Sequence, residues 1–305
     1  MFGFSSVSAS GASISQDQDG TSITTNGKTY HLPSYVRGSL DVHDGKIFLN
    51  GKLWNDREKD GELVATTYEF VLTEGYPSTI RVIGVQTVKV SGGDCYRATL
   101  IVKGRDPIGV AEPGCIRVES GDDSTLDLVF PQVNLDTEQI SFDRIGRLEI
   151  SDLDLPNAEI KAKVRGDVTL AGLRVDEIEV GVTSGTLSLV NGDIGHNARL
   201  KVVSGSVNVR GGTCPRMVID SVSGNVHVKF LTGECLDIVT VSGSVHADEV
   251  KGQTMGVQTV SGSVHLVNAD MGAIQVKTVS GSLNGSGSLK PRFQTISGRN
   301  RFVVQ

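Results

Sequence analysis

The sequence predicts an all-β protein: a parallel β-helix (β-solenoid) with coils of about 19 residues, preceded by a smaller N-terminal β-hairpin region. Three observations lead to this fold class. A Ser-Gly step recurs at nearly constant spacing, the residues around each step alternate between β-branched and polar types, and the chain contains 37 glycines. Strand-forming residues separated by frequent tight turns are typical of an all-β chain.

The repeat is most regular in the second half of the chain, where TVSGSVH occurs at 240–246 and again at 259–265. Starting from Ser184, the serines of the step are 20, 19, 19, 19, 19 and 17 residues apart. Units of this length bury their apolar side only against their neighbours, so they should stack as coils. Glycine tolerates positive φ, so each step should form a corner at the same height in every coil. The predicted corner residues are Ser204, Gly205, Ser223, Gly224, Ser242, Gly243, Ser261, Gly262, Ser280, Gly281, Ser297 and Gly298.

Aliphatic residues occupy fixed positions on both sides of each Ser-Gly step. Side chains two apart in a strand share a face, so these positions predict columns that point into the solenoid. They are Leu200, Ile219, Ile238, Val257, Val276 and Phe293 before the serine, and Val207, Val209, Val226, Val228, Val245, Ala247, Val264, Leu266 and Leu283 after it. A shift of one residue would turn these columns outward, so the repeat also fixes the register. A β-sandwich built from hairpins is the structural alternative.

The chain divides into three predicted segments. Residues 1–60 form a Gly/Ser-rich β-hairpin segment, because two Asn-Gly steps and one Asp-Gly step separate short strand-like runs between residues 24 and 54. Residues 61–135 form a β-rich entry region, and residues 136–305 form the solenoid repeats with a C-terminal cap. The charged stretch Asn55–Glu62 is the expected linker. Bare strand edges invite aggregation, so we expect the N-terminal part to cover the first coil, and Phe293 with the final RNRFVVQ to cap the last.

Composition and charge disfavour several classes of function. The net charge is −6 and basic residues look scattered, which argues against nucleic-acid binding. No apolar run approaches the ~20 residues of a membrane span, so no membrane insertion is expected. The four cysteines form no CxxC pair, and the start of the chain lacks the pattern of a signal peptide. These features favour the cytoplasm, with the cell surface or secretion as the alternative.

The sequence also resembles a known family. The repeated VSGSV and TVSGS steps, the Gly-rich Val/Thr strands and the lead-in YEFVLTEGYPSTIRVIGVQTVKVSGG resemble the bacterial putative-adhesin β-repeat proteins (auto-transporter adhesin head, GIN-domain type). The resemblance covers roughly residues 65–305 and is strongest over 180–300. It implies a β-solenoid with a surface or scaffolding role, and it carries over no catalytic residue.

A column of polar residues lies four positions after the repeated serine. It contains His227, His246 and His265, flanked by Asn208 and Asn284. A position between two inward columns should face solvent, so these five residues are the candidate binding surface. The three histidines are also candidates for a metal site, although we predict none, because structural zinc needs four ligands that converge tetrahedrally on one point. No cofactor is expected.

A second ladder lies two positions before the serine and consists of Thr240, Thr259, Thr278 and Thr295. Stacked inside a corner, these threonines should satisfy one another's hydroxyl groups. Facing outward, they would form a flat array similar to that of ice-binding β-helices.

These patterns favour a non-enzymatic scaffold or binding module that presents ladders of polar side chains to a protein or glycan, and that could associate with itself through the solenoid ends. The alternative is a polysaccharide lyase or hydrolase of the parallel β-helix type. Asp152, Asp154, Asp176, Glu177 and Glu179 are its candidate residues, but they do not recur in register with a groove. No GxSxG, HExxH or GxxxxGK[ST] pattern is present.

Overall fold

A computed structural model gives the fold of the chain. It describes residues 6–9, 12–16, 20–25, 28–33, 39–43, 46–49, 52–53, 58–59, 62–63, 65–71, 78–93, 97–103, 108–112, 115–120, 124–131 and 137–304. Every regular element in these residues is a strand, and we number the strands β1–β32 in chain order. No helix in these ranges is long and apolar enough to cross a membrane.

The first nine strands form three small sheets. They are β1 (Ser6–Ala9), β2 (Ala12–Gln16), β3 (Gly20–Thr25), β4 (Lys28–Pro33), β5 (Ser39–His43), β6 (Lys46–Leu49), β7 (Lys52–Leu53), β8 (Glu58–Lys59) and β9 (Glu62–Leu63). The sheets have the orders β1-β5-β6-β7, β2-β3-β4 and β8-β9. Ile23, Leu40, Val42 and Ile47 are buried together in the first two of these sheets. The part of the predicted linker that is described, in β8 and β9, pairs as a short hairpin, and the rest of Asn55–Glu62 lies outside the described residues.

The other strands belong to one large sheet. Its first part contains β10 (Ala65–Val71), β11 (Thr79–Ile83), β12 (Thr87–Gly93), β13 (Arg97–Lys103), β14 (Ile108–Glu112), β15 (Cys115–Glu119), β16 (Ser124–Pro131), β17 (Gln139–Ile145), β18 (Arg147–Ser151), β19 (Asp154–Val164), β20 (Val168–Ala171) and β21 (Arg174–Ser184). Its second part contains β22 (Leu187–Ser204), β23 (Val207–Thr213), β24 (Arg216–Ser223), β25 (Val226–Lys229), β26 (Thr232–Ser242), β27 (Val245–Asp248), β28 (Lys251–Ser261), β29 (Val264–Ser280), β30 (Leu283–Gly287), β31 (Arg292–Ser297) and β32 (Asn300–Val304).

This sheet is a parallel solenoid of about nine turns, so the predicted fold class is confirmed. In the regular part, each coil has one short strand followed by one long strand. The short strands β23, β25 and β27 pair in parallel and continue into the first part of β29 and then β30; we call this the short-strand sheet. The long strands β24, β26 and β28 continue into the last part of β29 and then β31, and they form the long-strand sheet.

The Ser-Gly steps lie in one vertical file. Ser204 is paired with Ser223, Ser223 with Ser242, and Ser242 with Ser261. The file continues to Ser280 and Ser297. Successive coils therefore stack in register, at the ~4.8 Å spacing of hydrogen-bonded strands.

The aliphatic columns fill the interior of the solenoid. All of the predicted inward residues before the last coil are at most 1 % exposed, and Phe293 is half-buried at the end of the core. Further columns that sequence reasoning did not list also point inward, and one of them contains Met217, Leu236, Met255 and Ile274. The core is therefore continuous from coil to coil, which makes each coil depend on its neighbours for burial.

At the N-terminal end of the solenoid, the strands do not stack in the order in which they occur in the sequence. Strands β11 and β12 pair on one side with β17 and β18, and on the other side with the later strands β15 and β16. Beyond them, β13 pairs antiparallel with β16, β10 with β13, and β14 with β15. Antiparallel strands from the entry region therefore cover this end of the parallel stack.

Candidate binding surface

The Ser-Gly corner needs glycine for two separate reasons. Gly243 has φ 151°, a conformation that residues with a Cβ rarely adopt. A Cβ built at this position would lie 2.0 Å from the carbonyl oxygen of Gly224 in the preceding coil. The close approach lets the backbone ladder run through the corner, where the Gly224 N–H donates to the Ser242 oxygen at 2.9 Å and the Gly243 N–H to the Ser261 oxygen at 3.1 Å.

The histidine ladder lies next to this corner on the short-strand sheet. His227 and His246 stack with ring centroids 4.9 Å apart, and His246 and His265 stack at 4.7 Å. Their planes differ by 10° and 5°, so the rings are nearly parallel. Asn208 is paired with His227, and His265 with Asn284, so the structure brings all five predicted residues into one half-buried column.

The central imidazole has the least favourable environment for a positive charge. Its Nδ1 atom is buried and has no hydrogen-bond partner. Burial holds the pKa of His246 below its ordinary value, and repulsion from His265, His227 and Lys229 lowers that pKa further. His246 therefore favours the neutral form.

The ladder does not converge on a metal position. Three stacked rings point in the same direction at successive heights, whereas zinc ligands surround one point. In the ranges that the structure describes, no group of three or more His, Cys, Asp and Glu residues is arranged to hold a metal ion.

A shallow depression of about 270 Å³ lies beside the N-terminal end of the histidine ladder. Asn208, Val209, Arg210, His227 and Lys229 line it. Two of these side chains are cations, and the ammonium of Lys229 is 3.5 Å from a carboxylate oxygen of Asp248 in the next coil. The depression thus combines a ring edge, an amide and two positive charges.

Phe230 follows Lys229 and was not found by sequence reasoning. It has φ 57° and is 46 % exposed, an uncommon combination for a bulky residue. It occupies the second corner of the coil, where the other members of the column are Asp152, Gly172, Asn191, Gly211, Glu249 and Asn268, all with positive φ. The recurrence of Asn and Gly seven positions after the serine, at Asn191, Gly211 and Asn268, was the available signal for this corner.

The threonine ladder points inward. Thr240, Thr259 and Thr278 are at most 6 % exposed, so the outward, ice-binding-like array is wrong. The expected pairing of their hydroxyl groups is also wrong, because each Oγ1 atom is buried without a hydrogen-bond partner. The rise between coils keeps these hydroxyl groups too far apart for a short O–H···O bond.

Apolar side chains are exposed along the edge of the long-strand sheet, directly before the corner serines. This column was also missed by sequence reasoning. It contains Val203, Val222, Val241, Val260, Val279 and Ile296, which are 44 to 84 % exposed. The alternation of the strand explains it, because the preceding residue of each coil points inward and its neighbour therefore points outward. These inward residues are Val202, Ser221, Thr240, Thr259, Thr278 and the half-buried Thr295.

Three of the five carboxylates proposed for a polysaccharide-cleaving site have a basic partner in a neighbouring coil. They are Glu179, Asp176 and Asp154. Glu179 accepts a hydrogen bond of 3.1 Å from Lys201, which keeps the pKa of that carboxyl below its ordinary value. Asp176 pairs with His196 and thereby raises the pKa of that imidazole, and Asp154 lies 3.8 Å from Arg174. A general acid needs the opposite environment, one that keeps a carboxyl protonated near neutral pH.

Comparison with known proteins gives one family match and several structural neighbours. Residues 213–289 match the family model described as Toastrack DUF4097. No curated protein matches the chain in sequence. A putative adhesin from Parabacteroides distasonis ATCC 8503 is 11 % identical, with a TM-score of 0.42 over 80 % of this chain and 98 % of that chain.

Two further crystal structures are similar over the same share of the chain. A putative lipid binding protein from Parabacteroides distasonis ATCC 8503 is 9 % identical, with a TM-score of 0.48 and coverage of 80 % of this chain and 98 % of that one. A putative adhesin from Parabacteroides merdae ATCC 43184 is also 9 % identical, with a TM-score of 0.34 and coverage of 80 % and 96 %. Over residues 213–289 the chain is thus similar to the Toastrack DUF4097 family.

Proposed function

We propose that this protein is a non-enzymatic scaffold that binds a protein or glycan partner through the polar face of its short-strand sheet. The observation that carries the proposal is the column from Asn208 to Asn284, in which three imidazoles stack at 4.7 to 4.9 Å on a fully buried core. The narrower assignment to the auto-transporter adhesin head of GIN-domain type is part of the same proposal.

The chemistry of this face suits an extended, repetitive partner. The imidazole edges present hydrogen-bonding nitrogens at a constant interval, and their order is set by the coil spacing rather than by a flexible loop. Arg210 and Lys229 add positive charge at one end, and the exposed Phe230 adds an apolar surface. Because stacking already fixes these side chains, binding would cost little additional conformational entropy.

The proposal also includes a cellular compartment and a competing enzymatic function. We place the protein in the cytoplasm, which the free thiols of Cys214 and Cys235 support, with the cell surface as the alternative. Cleavage of acidic polysaccharides is the competing function, and the cation partners of Glu179, Asp176 and Asp154 argue against it.

The test is a variant in which His227, His246 and His265 are all replaced by asparagine. Asparagine occurs naturally in this column at both flanking coils, so the fold should be retained. Immobilised parent and variant are compared on a glycan array and in a quantified pull-down from host lysate. A matched control replaces Gln258, Gln275 and Gln294 by asparagine on the outer face of the long-strand sheet.

We expect the histidine variant to lose the partners that the parent and the control retain. Equal capture by all three proteins would refute the assignment of the binding face. Release of new reducing ends from an acidic polysaccharide by the parent protein would refute the non-enzymatic function.

A further inference from the structure

Positive charge accumulates at the C-terminal end of the solenoid, although the protein as a whole has a net charge of −6. Residues 271–304 contain five basic residues and no acidic one, whereas residues 234–270 contain five acidic residues and one basic one. The basic residues are Lys277, Lys290, Arg292, Arg299 and Arg301, and all five are exposed. Basic residues are equally frequent elsewhere, with five in residues 199–229, so the absence of acidic residues is what distinguishes this end.

The surroundings of these five cations differ from those of several cations in the regular coils. There, Lys201 pairs with Glu179 of an adjacent coil at 3.1 Å, and Arg199 pairs with Asp220 at 3.2 Å. Among the described residues, no carboxylate lies within ion-pair distance of the five cations at the end. Their charge is therefore available to a partner.

The same end also presents two unpaired strand edges. Strand β31 pairs only with β29, and β32 only with β30, in the part of the chain that the structure describes. Phe293 and Phe302 are half-buried at the end of the core, where another strand would cover them. An unpaired edge of this kind is a template for an additional strand.

A polar depression of about 590 Å³ lies beside these edges. Its lining includes Ser282, Asn284, Arg299 and Arg301, together with glycines of the last two corners. Arginine forms bidentate hydrogen bonds with carboxylates, and serine hydroxyl groups and asparagine amides add further donors.

We propose that the C-terminal end of the solenoid binds an extended, acidic polypeptide segment of a partner as an additional β-strand. The segment's backbone pairs with β31 or β32, its apolar side chains cover Phe293 and Phe302, and its carboxylates contact Arg299 and Arg301. This surface adjoins the histidine face of the proposed function, because Asn284 lines the depression and Arg301 follows it in the same column. The two proposals are distinguished by their variants, since this one changes only Arg299 and Arg301 and leaves the three histidines in place.

The observations favour this occupant over three others. A lipid surface offers no row of alternating backbone donors and acceptors that could continue the strand ladder. A second copy that approached with the same end would bring its Arg299 and Arg301 towards those of the first copy, and like charges repel. The acidic residues 234–270 of another copy lie within the stack, where their strands already have partners on both sides.

The test uses three synthetic ten-residue peptides and one vesicle. The peptides are alternating Val-Glu, alternating Val-Lys, and alternating Val-Glu methylated at every backbone nitrogen, which keeps the charge and side chains of the first but has no backbone N–H group to donate to a strand ladder. The vesicles contain anionic phosphatidylglycerol in phosphatidylcholine. Binding is measured by fluorescence anisotropy for the peptides and by sedimentation for the vesicles, and hydrogen exchange follows the amides of β31 and β32.

We expect the Val-Glu peptide to bind, to protect amides of residues 292–304, and to weaken as salt rises. Replacing Arg299 by Ser and Arg301 by Asn, the residues found one coil earlier in the same columns, should weaken binding about tenfold. Lys251→Thr is the matched control, because threonine precedes it in its own column and the position is exposed on another side of the coil. This control should bind like the parent.

Several results would overturn the proposal. Equal binding of the N-methylated Val-Glu peptide would show that the side chains alone are recognised and that no strand is added. Binding of vesicles without binding of the Val-Glu peptide would identify a membrane surface instead. Self-association of the parent protein that the Arg299→Ser, Arg301→Asn variant abolishes would identify a second copy as the occupant.

Discussion

Replacing Thr240 by valine should stabilise the protein, although the substitution removes a hydrogen-bonding group. The Thr240 side chain is 1 % exposed, and its hydroxyl oxygen has no hydrogen-bond partner. Valine has nearly the same shape as threonine. In the earlier coils this column already contains Val164, Val182 and Val202, all at most 2 % exposed.

The expected magnitude follows from the cost of an unpaired hydroxyl group. Burial of such a group without a partner costs roughly 1–3 kcal/mol in mutational data, and unfolding returns it to water. Thr240→Val should therefore raise the free energy of unfolding by about 1 kcal/mol. The reverse change, Val202→Thr, should lower it by a similar amount, because Val202 precedes Ser221 and Thr240 in the same column.

Urea unfolding followed by circular dichroism measures the effect, provided that the dependence on urea is the same in parent and variant. Thr232→Val is the control, because Thr232 lies on the same strand but is exposed; its effect should stay within about 0.5 kcal/mol. A loss of stability in Thr240→Val would show that the hydroxyl group is satisfied in solution, and would refute the reasoning for the whole ladder.

Three further substitutions test other features of the coil. Gly243→Ala should lower the stability measured by thermal unfolding by at least about 3 kcal/mol, because the new Cβ would lie 2.0 Å from a backbone oxygen. Gly181→Ala is the control and should be tolerated, because its Cβ would lie 3.8 Å from the nearest atom. Equal effects of the two substitutions would contradict the packing argument. Phe230→Gly should stabilise the protein by about 1 kcal/mol, since φ 57° is strained for phenylalanine; a clear loss in urea unfolding would mean that the ring packs favourably. His246→Asn should make the stability of the protein less sensitive to acid. The pKa of His246 is lowered in the folded protein, so below the ordinary histidine pKa of about 6.5 the unfolded chain binds more protons than the folded one. Stability that is present above that pH is therefore lost as the pH falls through the folded pKa. Urea midpoints of parent and variant at pH 7.5 and pH 5.0 measure this, and equal losses in both proteins would remove His246 as the cause.

The five residues from Asn208 to Asn284 could be placed from the sequence because their positions depend on local rules. Side chains alternate along a strand, and a period of 19 residues brings the same position of each coil to the same side. The stacking of the imidazoles and the direction of the pKa change of His246 depended on the distance between coils. The position of Phe230 at the second corner could not be predicted, because the corner imposes a positive φ that phenylalanine itself does not favour.

The sequence by itself determined the solenoid, its register and its inward columns, because repetition and alternation are encoded within each unit. Only the tertiary structure decided how the ends are built. Strands β15 and β16 lie outside the earlier β11 and β12, a choice that depends on contacts between distant segments. The same holds for the C-terminal end, where the last turn of the solenoid places Arg299 and Arg301 beside Ser282 and Asn284 of the preceding coil. Local rules set the shape of one coil, and the stacking of coils sets which charges and edges remain free.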